Sequence, residues 1–160
     1  MKHSKERGAN LVEAAFVLPI LLLLWFGIIE LGRGYQIYQT MTNAAREGAR
    51  LSVAPPPGGG SVLIDSATVK TAVCAQLNAG GVPCKVGDTG LATVSVCQAC
   101  PGGGSADCTV ACNPSYLGTF NGATVTYTQV DVSVDYHFQY APIGAPLTIK
   151  AQAVMRNENN

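Results

Sequence analysis

Hydrophobic and polar positions divide this 160-residue chain into two unlike parts. From Ala14 to Ile29 it reads AAFVLPILLLLWFGII, without a charge. Leu11 and Val12 extend the apolar run upstream past Glu13, and Leu31 extends it past Glu30. A helix crossing the hydrocarbon of a bilayer needs ~20 mostly apolar residues, so the run reaches that length only by taking in one of those glutamates. Beyond it, Leu31, Tyr35, Tyr38, Thr42, Ala45 and Ala49 recur at three- and four-residue steps, as one face of a continuing helix would. Arg33, Gln36, Asn43, Arg46, Glu47 and Arg50 take the other faces. Pro55-Pro56-Pro57 and Gly58-Gly59-Gly60 must end it. One helix is therefore predicted from about Ala9 to Val53. Pro19 should remove one of its hydrogen bonds and kink it, and Gly27, Gly32 and Gly34 should weaken it.

After the Pro/Gly stretch the periodicity changes. Ser66 to Leu77 reads as a short helix, with Asp65 or Ser66 as its cap and Gly80-Gly81 as its stop. Alternation then marks strands at Ala92–Cys97, Val125–Phe138 and, after a Pro142–Pro146 turn, Thr148–Met155. Val82–Val86 suggests a short edge strand. The predicted fold is α+β: a long N-terminal hydrophobic helix, then one short helix on a three- to four-stranded antiparallel sheet.

Charge sharpens this picture. Ten basic residues balance ten acidic ones, which argues against a nucleic-acid partner needing a basic stripe. Only 12% of residues are charged and 48% are hydrophobic, which excludes bulk disorder. Lys2, Lys5 and Arg7 precede the apolar run, against a lone Glu6. Such a basic flank stays in the cytoplasm, so the N-terminus should lie inside and the chain after about Leu31 outside. A secretory signal peptide would need a small-x-small site after the run, where Glu30-Leu31-Gly32-Arg33-Gly34-Tyr35 is a poor match. A plain anchor has no use for Glu13, whose charge costs ~2.5–3.5 kcal/mol if it lies deep in the bilayer.

The stretch Lys5-Glu6-Arg7-Gly8-Ala9-Asn10-Leu11-Val12-Glu13 resembles a type IV prepilin processing site. The resemblance implies cleavage between Gly8 and Ala9, leaving the apolar helix as the mature N-terminus. More narrowly, VEAAFVLPILLLL (12–24), GIIELGR (27–33) and TNAAREGAR (42–50) are similar to the TadE-like family of tight-adherence (Flp) pilus systems, as is LTIKAQAVMRNE (147–158). The family implies a pilin-like domain and a minor pilin or pseudopilin at the inner membrane. Its expected partners are a prepilin peptidase, other pilin subunits, the pilus assembly machinery and the lipid bilayer. The chain then divides into a leader (1–8), a transmembrane and assembly helix (9–31), its extracytoplasmic continuation (32–54), a linker (55–60) and a globular domain (61–160) with a Cys-rich loop (97–112). Cleavage would expose an α-amine on Ala9, one helical turn from Glu13. In a filament, Glu13 is expected to reach the Ala9 amine of a neighbouring subunit and set the register between helices.

Six cysteines remain: Cys74, Cys84, Cys97, Cys100, Cys108 and Cys112. Cys97-x-x-Cys100 with Cys108-x3-Cys112 has spacings a tetrahedral zinc site could use, and a thioredoxin-like motif is the other sharp reading. Compartment opposes both, because oxidised cysteine persists outside the cytoplasm. Three disulfides are expected, with Cys74–Cys84 preferred and Cys97–Cys112 and Cys100–Cys108 nested, although six cysteines allow fifteen pairings. No cofactor, metal or active site is expected. His137 lies alone in a strand. Asp131 and Asp135 would share a face ~13 Å apart, too far for a dyad. The rival functions are a membrane-tethered binding domain that does not polymerise and, further off, an extracytoplasmic thiol oxidoreductase.

Overall fold

A single α-helix of 51 residues, α1 (His3–Val53), organises the molecule. The structure is a computed structural model and describes residues 3–54, 64–87, 92–100, 118–120, 123–138 and 146–157. Pro19 lies inside α1 without interrupting it. The remaining elements are α2 (Ser66–Ala79), β1 (Thr93–Cys100), β2 (Gly118–Phe120), β3 (Ala123–Val125), β4 (Tyr127–Tyr136) and β5 (Leu147–Arg156). Strands β1, β4 and β5 form one antiparallel sheet with β4 in the centre, and β2 and β3 form a separate two-stranded pair. This is the α+β arrangement that the alternating and helical periodicities predict.

Period-two alternation sorts the sheet into two faces. Val96, Val130 and Ala153 stand in register, as do Val94, Val132 and Ala151, and this face meets the helices. The other face carries Ser95, Asp131 and Gln152 in one row and Thr93, Ser133 and Lys150 in the next. Helix α2 adds Val69, Val73 and Leu77 to the core, and α1 adds Met41, Ala44, Ala45 and Ala49. The second half of α1 is thus part of the core of the domain.

The buried face of α1 takes in only part of the periodic series, its members Ala45 and Ala49. Leu31, Tyr35 and Tyr38 point outward, at 75%, 63% and 46% exposure. Glu30, Met41, Ala44, Gly48 and Ser52 are buried alongside Ala45 and Ala49, with Ile37 half-buried. Close approach explains the choice. A Cβ on Gly48 would overlap Val73 Cγ2 and lie 3.6 Å from methyls of both Val69 and Val130. Small side chains on this face let α2 and the sheet come close, and the bulky aromatics are left outside.

Two further details differ from the sequence reading. Helix α2 stops where expected, and Gly81 takes a φ of 79° that favours glycine. Residues Val82–Val86 do not form a strand; only a single parallel bridge joins Cys84 to Ala92. Their donors are used elsewhere: Val82 N–H bonds to the Leu77 carbonyl, Cys84 N–H bonds to the Asn78 side chain, and Pro83 has no N–H. The β2–β3 pair was not anticipated. The Pro142–Ile143–Gly144–Ala145 part of the expected turn lies outside the described residues.

Candidate functional site

Every residue from Asn10 to Ile28 is exposed. Leu11, Phe16, Leu23 and Ile28 each show about two thirds or more of their surface, between 65% and 74%. Burying such a side chain contributes roughly 1.5–3 kcal/mol, so a run of them bare in water is a large unspent driving force. This is the one described helix long and apolar enough to cross a membrane, and its apolar window is not buried against the rest of the chain. From Leu11 to Leu31 it rises about 30 Å, close to the thickness of bilayer hydrocarbon. Its length and composition suit a single-pass anchor. Gly8 and Ala9 lie in the first turns of α1, and Glu13 is exposed one turn further on.

At the other end of the apolar run sits a cluster that the sequence reading missed. Glu30 is 8% exposed, and Arg33 Nη1 lies 3.9 Å from its Oε2. Tyr136, the last residue of β4, donates its hydroxyl to the Glu30 carbonyl at 3.5 Å. Burial raises the Tyr136 pKa above 10.0, and the hydrogen bond to the Glu30 side chain and its negative charge add to the rise, while Arg33 opposes it. The cluster fixes the end of the central strand to the helix where its apolar run ends. A glutamate placed among Ile28, Ile29 and Leu31 was the available signal, since a carboxylate there needs local partners. Beside it opens a cleft of about 510 Å³, lined by residues including Arg33, Ile37, Pro83, Asp135 and His137.

Cys74, Cys84 and Cys97 lie with their side chains among the described residues. Cys74 and Cys84 are disulfide-bonded, with Cα atoms 5.0 Å apart. Asn78 clamps the second cysteine: its Oδ1 accepts from Cys84 N–H at 3.0 Å, and its Nδ2 donates to the Cys84 carbonyl at 2.9 Å. Cys97 is buried with Tyr127 and Val154 in a small second cluster. Cys108, Cys112 and the Cys100 side chain lie outside the described residues. Among the described residues, no three His, Cys, Asp or Glu side chains gather as metal ligands. Asp131 accepts hydrogen bonds from Gln129 (2.6 Å) and Gln152 (3.0 Å), and Asp135 accepts one from Thr148 (2.8 Å). These carboxylates tie the sheet together. His137 is exposed.

Residues 8–50 match the family model described as TadE-like protein. That segment is TadE-like. It covers nearly all of α1, from the glycine of the expected cleavage site through Glu13 and Glu30 to the small-residue face at Gly48. The match spans 43 of the 160 residues, about a quarter of the chain. No curated protein and no solved structure matches the chain.

Proposed function

We propose that this chain is a minor pilin or pseudopilin of a tight-adherence pilus. It inserts with its N-terminus in the cytoplasm, is cut between Gly8 and Ala9 by a prepilin peptidase, and assembles through its N-terminal helix. The observation that carries this reading is the exposed apolar half of α1, continuous with a TadE-like signature that begins at Gly8. An apolar helix exposed on every side needs lipid before assembly and other helices after it. Residues 3–8 are helical in the uncut chain, so the peptidase must unwind them, and a glycine lowers that cost by up to about 1 kcal/mol relative to alanine.

Glu13 has a distinct role in this proposal. Its carboxylate pairs with the Ala9 amine of a neighbouring subunit and fixes the axial register, while the apolar faces supply most of the contact. The four cysteines other than Cys74 and Cys84 are proposed to be oxidised as well, in keeping with an extracytoplasmic domain. Intact-mass measurement of the membrane-extracted protein tests the processing step. The proposal expects a mature chain beginning at Ala9, and Gly8→Leu accumulating at full length. A mature chain starting near Tyr35, or normal processing of Gly8→Leu, rejects it.

A further inference from the structure

The end of the sheet nearest the apolar run of α1 carries an apolar lip with no cover from the described residues. Strand β4 runs antiparallel to α1: Val130 lies against Gly48, and Tyr136 reaches back to Glu30. Just past the end of β4, Phe138 is 39% exposed and stacks edge-on against Tyr136, with ring centroids 5.4 Å apart. Leu147, in register with Tyr136 at the start of β5, is 53% exposed. The hydrogen bond from Tyr136 to Glu30 places this lip at the level where the apolar run of α1 ends in Leu31, itself 75% exposed. Arg33, its side chain 44% exposed and paired with Glu30, adds a guanidinium at the same height.

We infer that Phe138 and Leu147 rest in the outer interfacial layer of the bilayer, so that the domain lies on the membrane instead of standing clear of it. The inference rests on reading α1 as a membrane span and goes beyond it, since a span alone leaves the domain free to tilt away. Continuity decides the occupant: the lip borders the lipid-facing surface of α1 at the height where hydrocarbon gives way to headgroups. Aromatic rings are favoured in that layer, and an arginine there meets lipid phosphates. Tyr136, locked to Glu30, holds the lip in position.

Trp25 is the only tryptophan, which makes fluorescence quenching a direct test. The full chain is placed in phosphatidylcholine vesicles, with or without lipid spin-labelled near the headgroup end of the acyl chain. Three versions are compared: the native chain, Trp25→Phe with Phe138→Trp, and Trp25→Phe with Thr68→Trp, whose probe sits on the exposed face of α2 far from the lip. The expected result is about twofold or greater quenching of the probe at position 138 and none of that at position 68. If Trp25 is quenched but the probe at 138 behaves like the one at 68, the inference fails and the span stands. If Trp25 escapes quenching as well, the span reading fails and takes the inference with it. A probe at 138 that is shielded only at high protein-to-lipid ratio, without quenching, assigns the lip to another protein and overturns the proposal. Should Phe138→Trp disturb folding, Leu147→Trp reads the same layer.

Discussion

Two halves of one helix live in opposite surroundings. Residues 10–28 of α1 are exposed on every side and rich in Leu, Ile and Phe. Residues 30–52 are exposed on one side only, and their buried side is made of Glu30, Met41, alanines, a glycine and a serine. The more hydrophobic half is therefore the one that the domain does not use. A packed core selects for shape and close approach, whereas lipid and neighbouring helices select for apolar surface without demanding a fixed partner. Hydrophobicity alone marks the exposed half but not the core.

The contrast can be broken by equal truncations in the two halves. Met41 is fully buried, so Met41→Ala removes packing that the surroundings cannot refill, and about 2–5 kcal/mol of domain stability should be lost. Leu23 is 74% exposed, and Leu23→Ala should change the stability of the detergent-solubilised domain by no more than about 0.5 kcal/mol. Denaturant unfolding followed by near-ultraviolet circular dichroism checks both. Similar losses in the two variants would erase the distinction.

A smaller effect sharpens the boundary between the halves. The Tyr136 pKa is raised in the folded state, chiefly by burial and further by Glu30. The unfolded chain therefore gives up that proton first, at about 10.0, while the fold still holds it. The stability this contributes is complete below that pH and is lost as the pH rises through the raised folded value. Tyr136→Phe should flatten this alkaline decline and cost at most about 1 kcal/mol at neutral pH. A variant with the same alkaline profile as the native chain would remove Tyr136 from the junction.

Local signals in the sequence carried far, because period and punctuation are local properties. The Pro/Gly stretch after Val53 ends α1, Gly80-Gly81 ends α2, and apolar alternation gives β1, β4 and β5. Cys74 and Cys84 stand on either side of the α2 stop, close enough to bridge. Long-range features were harder to read. Which face of α1 turns inward depends on how closely Val73 and Val130 approach Gly48, a fact of tertiary packing. A glycine and three alanines at 44–49 were visible, but the aromatics at 35 and 38 made the stronger apolar pattern. Glu30 was read only as an interruption of the apolar run, since its partner Tyr136 lies 106 residues away. The Val82–Val86 segment alternates like a strand yet spends its donors on α2 and Asn78.

The central claim is that the second half of α1 is part of the domain's core. It is tested most directly by comparing two soluble fragments, one beginning at Glu30 and one at Ser61, both ending at Asn160. Thermal unfolding under oxidising conditions is the measurement. The account predicts a cooperative transition for the longer fragment and none for the shorter, which lacks Met41, Ala44, Ala45 and Ala49. A shorter fragment that unfolds cooperatively at the same temperature would contradict it.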